Sequence, residues 1–235
     1  MNRLPKEPNE APAVLFEDPH LIVLSKPAGL LSQGEKKGDA NVVDWLRGYL
    51  GRHYVGLVHR LDRNVSGVMV VAKRTKAARR LTEALCSDQM SRVYRGWIVG
   101  KLSRKARWSH TLLKDEETNL TRVVSSRHPK GKTAVLSVRP LGYGRWEGMD
   151  LTLAEFELET GRSHQIRAEA AAEGFPILGD EKYGSPGRRA LNKKFGRPAL
   201  HSFRIRFPHP MTGETLVFEA QLPEDMRRIS CTTLR

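Results

Sequence analysis

The densest group of reactive side chains is His59-Arg60-Leu61-Asp62-Arg63-Asn64-Val65-Ser66-Gly67, a charged loop between the apolar blocks Val55 to Val58 and Val68 to Ala72. Loops held by strands are common places for active residues. Asp62 has an arginine on each side within two positions, and its carboxylate is suited to act as nucleophile or base. The same local pattern also fits an aspartate that bonds backbone amides in a turn or bridges a surface ion pair. A second constellation is Glu159-Thr160-Gly161-Arg162-Ser163-His164-Gln165-Ile166-Arg167, where a strand ends, a glycine turns the chain and a helix begins. A helix N-terminus attracts anions. With Arg162, His164, Gln165 and Arg167 gathered there, the segment could grip phosphate or pair with a buried carboxylate. The plainer alternative is a capped helix with a solvated polar first turn.

These segments need elements to position them. Ala13 to Phe16 and Leu21 to Leu24 read as two strands joined by the turn Glu17-Asp18-Pro19-His20. Val42, Val43, Leu46, Tyr49 and Leu50 recur at helical spacing, with Asp39 as the expected cap and Gly51 as the stop. Val68 to Ala72 is a buried strand, and Thr75 is expected to cap a helix whose Ala77, Ala78, Leu81, Ala84 and Leu85 share a face. Strands then dominate: Val93 to Val99, Trp108 to Leu113, Thr133 to Val138 and Leu151 to Leu158. Ser163 to Glu173 has helical composition and stops at Gly174, and Ala199 to Phe207 with Thr215 to Ala220 form a hairpin. Many strands on short connections with a few helices predict a largely antiparallel α+β fold, a multi-stranded sheet with flanking helices. Residues 1–12 read as a loose arm. No internal repeat or linker marks a boundary, so residues 13–235 are expected to form one domain.

Composition narrows the partner. Forty Lys and Arg face 26 Asp and Glu, a formal charge of +14, spread along the chain. Such a surface favours a polyanion without saying which. The two cysteines, Cys86 and Cys231, form no CxxC pair and no metal-ligand grouping, which fits a reducing compartment and no metal. The N-terminus lacks an apolar core of signal-peptide length and no segment approaches a membrane span, so the expected location is the cytoplasm.

The segment HRLDRNVSGVMVVAK closely resembles the catalytic motif HRLDxxTSGxxxxAK of the RluA-type pseudouridine synthases. LETGRSHQIRAEA resembles that family's second active-site motif, SRVYRGWIVG its tyrosine-bearing strand and FEDPHLIVLSKPAGLLSQG its opening hairpin. ILGDEKYG and LHSFRIRFPHPMTGE resemble its closing segments, so the likeness runs in order from about Val14 to Pro223. The resemblance implies the pseudouridine synthase catalytic fold with a central active-site cleft, and isomerisation of uridine in ribosomal or transfer RNA without a cofactor. Family members often carry an N-terminal domain of the S4 type; only a short arm precedes the first strand here, so the expectation is the catalytic domain alone.

By the same resemblance Asp62 is the family aspartate that acts on the ribose of the target uridine, either attacking carbon or removing a sugar proton. Tyr94 aligns with the tyrosine that packs on the base and assists proton removal from C5. Arg167 aligns with the arginine that pairs with the catalytic aspartate, and Ile166 with an apolar residue of the base pocket. Arg60 aligns with the arginine that takes the flipped base's place in the RNA helix, a role suited to a flat stacking cation. His59, Arg162, His164 and Gln165 are expected to line the substrate site. Two departures stand out: Val65 replaces the usual threonine, and Ala168-Glu169-Ala170 replaces a continuation that carries a histidine.

The densest basic group, Arg188, Arg189, Lys193, Lys194 and Arg197, with Lys36 and Lys37 earlier, is expected to track RNA phosphates. The expected partner is a compact RNA stem-loop with an easily splayed base, bound by a monomer with no obligate protein partner. Two other functions use the same residues: a catalytically silent RNA-binding protein of the same fold, and a glycosidase that releases free base.

Overall fold

The structure, a computed structural model, describes residues 10–36, 38–51, 53–184, 187 and 189–234. Lys37, Arg188 and most of the arm expected over 1–12 lie outside the described residues. The chain divides into two compact units. The first comprises Met1–Arg92 and Ser202–Gln221, the second Val93–His201 and Leu222–Arg235. The limits after Arg92 and after His201 fall inside strands, which is why no linker composition announces them in the sequence.

In the first unit, β1 (Ala13–Glu17), β2 (Leu21–Lys26) and β4 (Ser66–Ala72) pair antiparallel in that order. The short β3 (Gly56–Leu57) pairs with the end of β4. The later segment supplies β10 (Leu200–Pro208), next to β4, and β11 (Thr215–Glu219), antiparallel to β10. Every residue of β4 is buried, as its unbroken apolar run requires of a strand covered on both faces. Val68, Val70 and Ala72 share one face and pack with Leu21, Val23, Ile205 and Phe207 and with Ala77 and Leu81 of α2 (Thr75–Cys86). Gly67 has φ +118, and a Cβ there would overlap the backbone of Ser202, so β4 begins where only glycine fits.

Two expected caps are corrected. The N-cap of α1 (Val42–Leu50) is Asn41, whose Oδ1 accepts from Asp44 N at 2.9 Å. Asp39 is occupied two residues earlier, accepting from Lys36 N. Gly51 ends α1 in the left-handed conformation, as expected. Thr75 is the first residue of α2 and not its cap; Arg74 is, without a side-chain bond.

In the second unit β5 (Ser91–Val99), β9 (Met149–Leu158), β8 (Lys132–Trp146), β6 (Ala106–Asp115) and β7 (Leu120–Val124) pair antiparallel in that order, and β12 (Cys231–Thr233) also pairs with β8. β8 is far longer than the expected Thr133 to Val138, because a bulge between Pro140 and Gly142 lets it continue through a proline. β7, β12, α4 (Arg189–Phe195) and α5 (Glu224–Arg227) were not expected from the sequence. Trp97 is fully buried and donates Nε1–H to Met226 O at 3.0 Å, tying α5 to the sheet. The fold is α+β with mostly antiparallel pairing.

Candidate active site

The loop between β3 and β4 is fastened through its backbone on both sides of Asp62. Ser32 Oγ donates to Leu61 O at 2.7 Å and accepts from Leu61 N at 3.0 Å, and the Leu61 side chain is buried. One residue beyond Asp62, Arg63 O accepts from Gly29 N at 2.8 Å and from Lys26 Nζ at 3.1 Å, while Arg63 Nε donates to Gly29 O. Lys26 is fully buried, and its ammonium also donates to Pro27 O and Leu30 O. The ammonium, with three protons to donate, thus ties three backbone carbonyls together. Asp62 O accepts from Val65 N at 3.1 Å, which closes the turn. Val65, the departure from threonine, is buried in it.

Each side chain of the loop then has its own environment. Asp62 is partly buried and Arg60 is exposed. His59 is buried; its Nε2 accepts from Val70 N at 3.2 Å, so the ring proton sits on Nδ1. Burial, and then the nearby Arg92 guanidinium, hold its pKa down at about 3. His59 is therefore neutral in the fold and fastens the loop to β4.

At the entry to α3 (Gln165–Ala172) the anchoring runs through side chains. Arg167 is buried and forms a fork with Asp180, Nε to Oδ2 at 2.6 Å and Nη2 to Oδ1 at 2.9 Å. Its guanidinium carbon lies 5.0 Å from the centre of the Tyr183 ring. Asp180 Oδ1 also accepts from Lys182 N and Tyr183 N, and Asn192 bonds both Asp180 O and Gly179 N. Tyr183 Oη accepts from Thr121 N at 2.8 Å and is hydrogen-bonded to His164 Nδ1, also at 2.8 Å. Burial raises the Tyr183 pKa.

Gln165 is likewise committed: Oε1 accepts from Thr160 Oγ1 and Arg162 N, and Nε2 donates to Val135 O. That makes it a fastener of the turn. His164 is the N-cap of α3 in the left-handed conformation, without a capping bond from its side chain. Ile166 is buried and Arg162 exposed, its Nε donating to Thr133 O at 3.0 Å. Glu169, at the position that departs from the family pattern, is fully buried and bonded to His110 Nδ1 at 3.1 Å; burial raises its pKa against the lowering effect of that bond. Tyr94 is buried on β5, opposite Phe156.

Thus His59, Arg60 and Asp62 share one loop of the first unit, while Arg162, His164, Gln165, Ile166 and Arg167 gather in the second, where Tyr94 also lies. Sequence reasoning assigned no role to Lys26, Ser32, Asp180 or Tyr183. Their one signal was the likeness of the segments that contain them to family segments. Among the phosphate-tracking candidates, Arg189 and Lys193 are exposed, Lys194 pairs with Glu147 at 2.8 Å, and Arg197 is held by both oxygens of Asp225.

A catalytic-type loop bracketed around one carboxylate, on a mostly antiparallel α+β fold, defines a class, and comparison with known proteins specifies it. A family model described as RNA pseudouridylate synthase matches residues 20–172. The chain is 36% identical over 228 residues to the Bacillus subtilis (strain 168) protein named uncharacterized RNA pseudouridine synthase YhcT, covering 94% of this chain and 71% of that one. It is 33% identical over 234 residues to ribosomal large subunit pseudouridine synthase D of Yersinia pestis, covering 93% and 70%. The solved structure of human RNA pseudouridylate synthase domain containing 1 has the same fold, with TM-score 0.82 at 21% identity over 97% of this chain and 93% of that one. The chain belongs to the RNA pseudouridylate synthase family. It is an isomerase that acts on RNA.

Proposed function

We propose that this enzyme isomerises uridine in ribosomal or transfer RNA with Asp62 as its catalytic carboxylate. The observation that carries this reading is the bracketing of the loop: Leu61 and Arg63 are each fixed by two or more hydrogen bonds, so the carboxylate between them stands on a rigid backbone. Breaking the bond from C1′ to N1 leaves positive character on the sugar and negative charge on uracil. A fixed carboxylate stabilises the sugar, by bonding to it or by taking a sugar proton. Uracil then turns, C5 bonds to C1′, the hydrogen on C5 leaves as a proton and N1 gains one. Reactant and product are isomers, so the balance needs no oxidant or reductant.

Tyr94 serves as the aromatic wall whose hydroxyl assists departure of the C5 proton, and Ile166 as an apolar wall. Arg60 is the exposed cation of the loop and is suited to fill the gap left by a flipped base. Arg167 works as a pre-set cation, oriented by Asp180. The substrate is a stem-loop met by a monomer in the cytoplasm; the ribosomal part of the reading is supported by the name of the Yersinia pestis relative.

The test is tritium release from RNA labelled at uridine C5. Wild-type protein should release tritium from a ribosomal or transfer transcript without free uracil, and Asp62→Asn should not. Release by Asp62→Asn at the wild-type rate would remove Asp62 from the reaction. Free uracil would make the protein a hydrolase, and RNA binding without release would make it a silent binder.

A further inference from the structure

Charge is unevenly placed in the second unit. Between Glu117 and Glu147 the chain has no acidic residue, yet it carries Arg122, Arg127, Lys130, Lys132, Arg139 and Arg145. Surfaces that serve solubility alone intersperse both signs. The structure sorts these cations by what they touch. Arg139 bonds Glu155, and Arg145 lies 3.4 Å from Asp150. Arg127, Lys130 and Lys132 are exposed and form no ion pair among the described residues.

The turn that carries these three is itself built. Between β7 and β8, His128 N donates to Ser125 O and Gly131 N to His128 O, both at 2.9 Å. Ser125 Oγ accepts from Arg127 N, and His128 Nδ1 from Lys130 N. A Cβ at Gly131 would overlap the methyl group of Thr111, so the turn lies flat on β6 and only glycine fits there. A fourth cation adjoins it: exposed Arg162 donates Nε to the carbonyl of Thr133, the residue after Lys132. Glu159, three positions before Arg162, is already held by both arms of Arg107, at 2.8 and 2.7 Å.

We infer that the turn bearing Arg127, Lys130 and Lys132, together with Arg162, forms a phosphate-gripping surface for RNA that flanks the target uridine. The inference rests on the reading of the protein as an RNA isomerase and adds the surface that holds its substrate. A cation without a protein partner gains from counterion release when it meets a phosphate, whereas a paired one must first give up its carboxylate. By that criterion the turn is better suited than Lys194 and Arg197 of the later basic group, which Glu147 and Asp225 engage.

The experiment is the salt dependence of affinity for a substrate transcript, measured with wild type, with the triple variant Arg127→Gln, Lys130→Gln, Lys132→Gln, and with Lys130→Gln alone. A control, Lys101→Gln with Arg228→Gln, removes two exposed cations that already pair with Asp150 and Glu224. Each lost phosphate contact lowers the slope of log affinity against log salt by about 0.7 to 0.9. The triple variant should therefore lose about 2 in slope, so that its fall in affinity between 50 and 200 mM salt is roughly 20-fold smaller than that of wild type. The single variant should lose about a third as much, and the control should keep the wild-type slope. Wild-type slope in both turn variants, with tritium release intact in wild type, would overturn the surface alone. Equal losses in control and triple variant would also overturn it, by reducing the effect to total charge. Absence of both salt-dependent binding and tritium release in the wild type would overturn the isomerase reading and the surface with it.

Discussion

The loop around Asp62 and the entry to α3 are both charged and fixed, but they are held by different atoms. Around Asp62 the fasteners, Ser32 and Lys26, grip the carbonyls and amide of the neighbouring residues. At α3 the fastened group is the functional side chain itself, since two nitrogens of Arg167 are bound by Asp180. The first arrangement fixes Asp62 through the backbone of its neighbours, so a substitution at Asp62 leaves those bonds in place. The second fuses position and chemistry, and damage to Arg167 or its support reaches stability and activity together.

That contrast can be broken most sharply at Asp62. Asp62→Asn should lower tritium release by about 10²- to 10⁴-fold while leaving the bonds of Ser32 and Lys26 to its neighbours, and with them most of the stability, in place. A large fall in melting temperature would mean that the carboxylate also holds the loop. Next in size, Asp180→Ala removes the two-armed carboxylate partner of a buried guanidinium and should destabilise the protein by about 3–5 kcal/mol in denaturant titration, with activity falling alongside. Normal stability with lost activity would erase the distinction between the two sites.

The pH response sharpens the comparison on the loop side. His59 has a pKa of about 3 in the fold against an ordinary 6.5, so the unfolded chain binds the extra proton. The stability this supplies is full above pH 6.5 and is lost as pH falls toward 3, by up to about 1.4 kcal/mol per unit. His59→Gln should flatten that part of an acid-denaturation profile by one proton's worth; an unchanged slope would show that His59 accepts a proton inside the fold. The smallest effect is expected for Ser32→Ala. It leaves the buried amide and carbonyl of Leu61 without their partner and should cost about 1–3 kcal/mol, with activity lost in proportion to the loosened loop.

The sequence discloses most of what packs locally. The β1–β2 and β10–β11 hairpins, α1, α2 and the buried run of β4 were all legible, because apolar spacing and turn residues mark them directly. The caps were less so: Asp39 and Asn41 are both good caps, and which one serves depends on Asp39 being taken by Lys36 N. α3 has buried residues on every side, including Gln165, Arg167 and Glu169, so it shows no apolar stripe. Its polar residues are satisfied by partners distant in sequence, such as Val135, Asp180 and His110, and no local pattern forecasts those. Asp62 stood out only through the family motif, and Asp180 and Lys26 gave no sign that they would become the fasteners of Arg167 and of the loop.

The close approach at Gly67 also dictates an order of events during synthesis. β4 carries the far end of the catalytic-type loop, and its first residues lie against Ser202, which is made more than a hundred residues later. Until the ribosome has delivered residues 202–221, the first unit lacks β11 and most of β10, and β4 with its apolar run Val68 to Ala72 has an open edge. The nascent chain thus carries an aggregation-prone strand through the making of nearly the whole second unit. Messages truncated before codon 202 should yield products that depend on chaperones, although the complete HRLD motif is already present.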